Sequence, residues 1–262
     1  MIYKKRKGVP EFECIEFHEK SKDYVLLIPV INEGRRIIKE LIRAYKSNVS
    51  ESADIVICDG GSTDGSLNEE VLKKLNVSAL LVKHGYGKQG AQLRAGIWWT
   101  LKCGYKGIVT VDGNNKDSIE DVPQFIEKLK EGYGFVQGSR FIEGGRAVNT
   151  PLIRLLSVKI IHAPVISITA HKHFTDTTNA FRAYSAEYLS DKRVKPLREI
   201  FMTYELLAYL SVRAPQLNYK VCEIPVTRVY PKGKTPTKIS FLKGNSELLK
   251  ILFKNLCGAY NP

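Results

Sequence analysis

The chain has 262 residues, long enough for one large α/β domain or two small ones with a substantial core. Apolar residues make up 44%, as in soluble globular proteins, and the net charge of +13 favours anionic partners: nucleic acid, acidic lipid headgroups or phosphorylated substrates. The five cysteines (Cys14, Cys58, Cys103, Cys222, Cys257) are odd in number and lack metal-site or redox spacing, so reduced thiols in a cytoplasmic protein are expected.

Residues 1–22 are polar and irregular and read as an N-terminal extension. The basic start Met1–Lys7 has no apolar stretch behind it, so no signal peptide is expected. Tyr24–Val30 is the first buried strand, and Pro29 is tolerable only where its ladder is finishing. After the turn Asn32-Glu33-Gly34, Arg35–Lys46 carries Ile37, Ile38, Leu41, Ile42 and Tyr45 at helical spacing. Asp54–Cys58 is a second strand. It runs into Asp59-Gly60-Gly61-Ser62-Thr63-Asp64-Gly65-Ser66 and a helix ending near Leu75. Val77–Lys83 is a third strand, Gly85–Gly90 a turn and Ala91–Lys102 a helix. Gly107–Val111 is short, apolar and β-branched, which reads as a strand buried on both faces. A helix from Ile119 to Glu131 and a strand Phe135–Arg140 follow. Strands alternating with helices in this way predict an α/β fold with a mostly parallel central sheet flanked by helices.

The second half differs. Leu152–Ala170 is apolar but carries Arg154, Lys159 and His162, and Pro164 predicts a break into two short helices. No run of about 18 uncharged apolar residues occurs, so no spanning segment is expected. Phe201–Val212 reads as a strongly apolar helix with one acid, Glu205. Tyr219–Val226 is a strand, followed by the cationic, turn-rich Arg228–Lys238. Asn245–Leu256 is an amphipathic helix. Both it and Leu152–Ala170 set apolar faces beside basic residues, the pattern of an interfacial membrane helix and equally of a helix packed on a core.

Open α/β sheets place their chemistry beyond the carboxyl ends of strands. The central strand stops at Asp112, and Gly113-Asn114-Asn115 cannot comfortably continue it. An acid and two amides there are a candidate site for a phosphate-bound metal, because hard cations take oxygen ligands; an Asx-type turn is the competing reading. The turn Asp59–Ser66 is glycine-rich but acidic, unlike a Walker-type phosphate loop. It should therefore face the other end of a nucleotide, where carboxylates accept hydrogen bonds from ribose hydroxyls or a base N–H. A capping turn would look the same. Lys88 and Arg94 flank a helix start in a stretch without the Rossmann glycine order, which argues against a dinucleotide. They are either anion contacts or solvated charges.

The set Leu27-Ile28-Pro29-Val30-x-Asn32-Glu33, Asp59-Gly60-Gly61-Ser62-Thr63-Asp64-Gly65, Gly90-Ala91-x-x-x-Ala95-Gly96, Val111-Asp112-Gly113-Asn114 and Gln137-Gly138-Ser139-Arg140 resembles glycosyltransferase family 2. These are inverting nucleotide-sugar transferases with the GT-A fold. Order and spacing match over roughly residues 24–230. Within the family the chain is most similar to the dolichyl-phosphate mannose and polyprenyl-phosphate sugar synthases. That similarity rests on Asp176-Thr177-Thr178-Asn179-Ala180-Phe181-Arg182, Glu223-Ile224-Pro225-Val226 and the basic Arg228–Lys238 loop. The resemblance implies a GT-A domain over 24–240, divided into a nucleotide-sugar half (24–140) and an acceptor half (141–240). Residues 1–23 would be an extension and 241–262 a C-terminal amphipathic helix.

The resemblance also implies roles. Pro29, Asn32, Glu33, Asp59 and Asp64 would line the nucleoside pocket, with Ser62, Lys88 and Arg94 in the donor-binding set. Asp112 and Asn114 fall at the family's Asp-x-Asp, which holds Mg²⁺ or Mn²⁺ on the sugar diphosphate. The second acid of that motif is here an amide. Lys116 and Asp117 replace the Gln and His usual in the polyprenyl-phosphate enzymes; Lys116 would supply part of the metal's charge, and Asp117 is a further candidate ligand. Arg182 would stand on the opposite wall, and the loop carrying Arg228, Lys232, Lys234 and Lys238 would close over the diphosphate. Glu205 sits where many members carry their catalytic acid, needed if the acceptor is a sugar hydroxyl but not if it is a lipid phosphate. The expected activity is transfer from a nucleotide diphosphate sugar to polyprenyl or dolichyl phosphate, by a protein peripherally attached to an anionic membrane surface. The alternative is transfer to a sugar hydroxyl of a lipid-linked or cell-surface glycan. A basic nucleic-acid-binding protein is the alternative of another class, and nucleic acid is not expected as a partner because no reader motif is present.

Overall fold

Short apolar runs separated by amphipathic stretches stack as strands in one layer with helices on both faces. The computed structural model describes residues 1–231 and 241–262, without the side chains of 241–245. The first half runs β1 (Ile2–Tyr3), β2 (Phe12–Glu16), β3 (Tyr24–Val30), α1 (Arg35–Lys46), β4 (Asp54–Asp59), α2 (Glu69–Lys74), β5 (Val77–Lys83) and α3 (Gln89–Lys102). It continues through β6 (Gly107–Thr110), α4 (Val122–Lys130), β7 (Phe135–Ser139) and β8 (Arg146–Val148). The second half holds α5 (Leu152–Leu156), α6 (Ala163–Ala170), β9 (Arg182–Ser185), α7 (Ala186–Ser190), α8 (Glu205–Gln216), β10 (Val221–Pro225), β11 (Thr227–Val229) and α9 (Phe241–Leu256).

Nine strands form one sheet in the order β1-β2-β5-β4-β3-β6-β9-β7-β10. Within it only β2 and β9 run against the rest. β8 and β11 pair separately in a parallel ribbon. β3 lies between β4 and β6, so the chain moves away from β3 on one side, returns through α3 and continues on the other. That reversal opens a crevice beyond the carboxyl ends of β3 and β6, the switch point at which such sheets hold ligands.

Alternate side chains feed two cores. Leu26, Ile28, Ile55 and Ile57 pack with Ile37, Leu41 and Phe125 on one face; Leu27, Val56 and Leu81 pack with Leu93, Trp99 and Leu210 on the other. Gln92 of α3 donates its buried amide to the Val30 and Cys58 carbonyls at 2.6 and 2.8 Å, tying the ends of β3 and β4 together. At Gly90 a Cβ would stand 2.7 Å from the Phe201 and Thr203 carbonyl oxygens, so only glycine lets α3 begin against that segment.

The structure departs from the sequence reading in four places. Residues 1–22 are not irregular throughout: β2 extends the sheet beside β5, with Phe12 and Cys14 buried. The intervening glutamates hide this half-buried strand from a composition-based reading. β9 enters the sheet antiparallel between β6 and β7, a four-residue strand too short to show a period. Leu152–Ala170 is continuous, because a π turn at Ser157–His162 precedes Pro164, which then occupies the first turn of α6 where a missing N–H costs little. At 19 residues and a mean hydropathy of 1.6, with 22% of it buried, it is long and apolar enough to cross a membrane, by length and composition alone. Finally, α8 starts at Glu205, not Phe201.

Candidate functional site

At one end of the crevice the β3–α1 and β4–α2 loops bind each other. The Ser62 N–H donates to both Asp59 carboxylate oxygens at 3.0 and 2.9 Å, and its hydroxyl donates to Oδ1 at 2.6 Å. The Asn32 N–H donates to Ser62 Oγ at 2.9 Å, and the Thr63 N–H donates back to Asn32 Oδ1 at 2.8 Å. Asp64 accepts the Gly34 N–H at 2.8 Å, and the Ser66 hydroxyl, the strongest influence, helps hold its carboxyl below the usual value. Asn32 takes the left-handed conformation that this weave needs (φ 48°), one that Asn tolerates. Pro29 is half-buried at the end of β3, and Glu33 is paired with Arg36 at 2.8 Å. The structure thus brings Pro29, Asn32, Glu33, Asp59, Ser62 and Asp64 to one rim of the crevice.

At the other end stands Asp112, with its side chain 26% exposed. Its Oδ1 accepts the Gln89 amide at 2.9 Å; its Oδ2 lies 3.4 Å from both Asn114 Nδ2 and Arg228 Nη2. The loop is pinned from behind by α1: the Asn115 N–H donates to Glu40 at 2.7 Å, and Arg43 donates to Asn115 Oδ1 at 3.1 Å. Burial drives the Glu40 carboxyl well above its ordinary value, against the pull of the Asn115 N–H. Asp117 is fully buried and takes a short, charge-assisted bond from Arg228 Nη1. Asp117 therefore does not face the crevice as a ligand; it is committed to an arginine.

Arg228 also adjoins Tyr230, a buried phenol with three cations about it. The Lys116 ammonium lies 5.1 Å from its ring centroid, the Arg154 and Arg228 guanidinium carbons each lie 5.6 Å away, and Arg154 donates to its hydroxyl at 3.0 Å. Burial would raise the Tyr230 pKa, yet Arg228 and Arg154 outweigh it and bring it below the usual value. Burial, and then Arg228, draws the Lys116 ammonium below its own.

Other expected site residues lie elsewhere. Arg182 is buried and donates to the carbonyls of Asn179, Leu207 and Thr177 and to Ser211 Oγ, at 2.6–2.8 Å. It fastens β9 to α8 and presents no free face to a diphosphate. Arg94 is equally buried; it donates to the Gly8 carbonyl at 2.8 Å and anchors the N-terminal segment. Lys88 is exposed at the start of α3, its N–H bound to the Met202 carbonyl at 2.8 Å. Glu205 is half-buried, and its carboxylate accepts the Thr203 N–H at 2.6 Å, closing the turn that begins α8. Lys232, Lys234 and Lys238 lie outside the described residues.

The reading from sequence missed Gln89, Glu40, Arg154 and Tyr230 as members of this site. Gln89 was legible as the residue before Gly90 at a helix start; the other three carry no local signal, since their place depends on how α1, α5 and β11 converge. Asp112 and Asn114 fit a divalent ion shared with a diphosphate. Asn114 Oδ1 is buried without a partner, and Mg²⁺ is commonly held by one or two carboxylates together with substrate phosphates. They do not form an all-protein cage: no group of three or more His, Cys, Asp or Glu able to hold a metal occurs among the described residues.

The model of the glycosyl transferase family 2 matches residues 25–191. The chain is 26% identical over 210 residues to the polyprenol monophosphomannose synthase of Mycolicibacterium smegmatis, covering 78% of this chain and 76% of that one. It is 27% identical over 205 residues to the undecaprenyl-phosphate mannosyltransferase of Micrococcus luteus, with 78% and 82% covered. The dolichyl-phosphate hexose transferase of Haloferax volcanii is 25% identical over 240 residues, with 88% and 93% covered. Among solved structures, the glucosyl-3-phosphoglycerate synthase from Mycobacterium tuberculosis in complex with Mn²⁺, uridine diphosphate and phosphoglyceric acid has a TM-score of 0.63 at 14% identity, covering 91% of this chain and 79% of that one. The shared fold is GT-A.

Proposed function

The chain belongs to glycosyltransferase family 2, and from that premise we propose that it moves a sugar from a nucleotide diphosphate sugar to a polyprenyl or dolichyl phosphate, working peripherally at the cytoplasmic face of an anionic membrane. The observation that carries this reading is the cation cluster around Tyr230 at the foot of an exposed apolar helix. Arg154 belongs to the same helix as Leu152, Ile153, Leu156, Ile160 and Ile168, all of them exposed. An acceptor made of a phosphate and a hydrocarbon chain suits such a surface: the phosphate meets the cations and the chain follows the helix. The names of the three relatives fit the same acceptor.

The nucleoside would lie against the woven loops at Asn32, Asp59, Ser62 and Asp64, with the diphosphate over Asp112. Asp112 and Asn114 would hold the divalent ion, which when bound supplies positive charge against the leaving diphosphate. Lys116 and Arg154 would orient the acceptor phosphate, whose oxygen attacks the anomeric carbon in a single displacement. That oxygen is already anionic and needs no base, which agrees with a Glu205 carboxylate spent on the Thr203 N–H. The cationic run Lys232, Lys234 and Lys238 follows β11 in sequence and would add positive charge against the diphosphate.

The test is incubation of the full chain with labelled nucleotide sugars, Mg²⁺ or Mn²⁺, and vesicles carrying polyprenyl phosphate. A lipid-extractable labelled product is expected; label found only on a sugar-hydroxyl acceptor would overturn the acceptor assignment. Vesicles with anionic lipid should float the protein at low salt and release it as salt rises. No flotation at any lipid composition would overturn the peripheral attachment.

A further inference from the structure

At the second position of the donor motif this chain carries Asn114, so Asp112 lacks the partner carboxylate with which it would balance a divalent ion. What faces Asp112 instead is a guanidinium. Arg228 is gripped by the buried Asp117 through Nη1, while its Nη2 stands 3.4 Å from Asp112 Oδ2. The second contact is longer than the roughly 2.7–2.9 Å of a charge-assisted hydrogen bond. Arg228 is thus fixed by Asp117 and leans on Asp112 without being spent on it. Exposure falls along the same line, from 26% at the Asp112 side chain to 8% at Arg228 and none at Asp117. An anion arriving at Asp112 meets the guanidinium next. The backbone holds it there: the Val229 N–H donates to the Lys116 carbonyl at 2.7 Å, the Thr227 N–H donates to Ser118 Oγ at 3.0 Å, and Asp117 and Arg228 form a β-bridge. Asp112 and Asp117 against Lys116 and Arg228 leave this centre near neutrality before any ion enters, where a two-acid motif would be anionic and would repel a diphosphate until a metal arrived.

We propose that Arg228 is a resident cation of the donor site: held on Asp117 and directed at Asp112, it takes part of the diphosphate charge itself, so that nucleoside diphosphate binding persists without a divalent metal. A planar fork suits phosphate oxygens, and its charge cannot be titrated away near neutral pH. The inference rests on the donor reading above, and the experiment separates the two.

Binding of UDP and of GDP to the full chain is measured by calorimetry in EDTA and in Mn²⁺. For at least one of them the wild type should bind in EDTA with a Kd within about tenfold of that in Mn²⁺, a difference below about 1.4 kcal/mol. The double variant Asp117→Asn/Arg228→Met removes the cation while leaving no unpaired buried charge. In EDTA it should bind at least about 30-fold more weakly, and Mn²⁺ should restore it to within a few-fold of wild type. Arg228→Lys keeps the charge and loses the fork; it should weaken binding in EDTA by about three- to tenfold and leave binding in Mn²⁺ unchanged, and it decides the matter if the double variant does not fold. Wild type that binds only with Mn²⁺, or variants that bind as wild type in EDTA, would overturn the resident cation and leave the donor reading standing. Failure of both nucleotides to bind wild type even with Mn²⁺ would overturn the donor reading and this inference with it.

Discussion

The two ends of the crevice are built in opposite ways. At the end formed by the β3–α1 and β4–α2 loops, Asn32, Gly34, Asp59, Ser62 and Asp64 come from two loops about 30 residues apart, and most of their bonds run between backbone N–H groups and short side chains. At the acid–cation end, Asp112 and Asp117 meet Arg154, Arg228 and Tyr230, brought in from segments up to 116 residues away by side-chain charges, some of them buried. A weave of local hydrogen bonds, about 1 kcal/mol net for a neutral one and about 1.5–3 for one to a carboxylate, gives way gradually when one is lost, because the other N–H and hydroxyl donors still hold each acid. A buried pair fails abruptly, because losing one partner strands the other at a cost of about 3–5 kcal/mol. The first end is therefore a tolerant frame and the second a sensitive one, and substitutions can test that contrast.

The largest effect is expected at Asp112. Asp112→Ala should lower transfer by about 1,000-fold or more, some 4 kcal/mol of barrier, whereas Asn114→Ala should leave measurable turnover, since an amide gives a cation no net charge. Rates of labelled-sugar transfer decide it; equal losses would erase the distinction between the two ligands. Next comes the joint change of Lys232 and Lys238 to alanine. Transfer should fall by about tenfold, or 1.4 kcal/mol, with no change in melting temperature. Intact transfer would confine the charge requirement to Lys116, Arg154 and Arg228. At the tolerant end, Ser62→Ala removes the hydroxyl that Asp59 accepts and that caps the Asn32 N–H, but leaves the Ser62 N–H in place. The donor KM should rise by about three- to tenfold with kcat held, the signature of lost uniform binding. A kcat loss as large as that of Asp112→Ala would break the contrast.

The smallest effect concerns Glu40 behind the Asp112 loop. Burial lifts its folded-state pKa above the unfolded one, so the folded protein holds a proton that the unfolded chain releases. Its stabilising share is complete below the unfolded pKa and shrinks as pH rises above it. Glu40→Gln keeps an acceptor for the Asn115 N–H without that penalty. The variant should melt at or above the wild-type temperature near pH 8, and the gap should close toward about pH 4. A variant that melts lower near pH 8 would show that Glu40 is ionised and paired.

The alternation of β-branched strands and amphipathic helices, and the acids and glycines just past Val30, Cys58 and Val111, were legible in the chain as written. Strand ends, turns and helix faces are set by interactions within a few residues, and local pattern records them. The same is true of the rim built by Asn32, Asp59, Ser62 and Asp64, whose residues sit at or just after the ends of their strands. Tertiary structure alone decided the rest. It turned Arg182 and Arg94 inward, because a guanidinium in an apolar layer must find carbonyls and nothing in the sequence says which layer it enters. It drew β2 from a charged N-terminal stretch and set β9 between β6 and β7, since a short strand near an edge or inserted between others is specified by the neighbour it pairs with more than by its own residues. It also placed Arg228 between Asp117 and Asp112. Charge interactions act through space with no period along the chain, so an arginine 116 residues from its carboxylate leaves no mark until the sheet closes and brings them together.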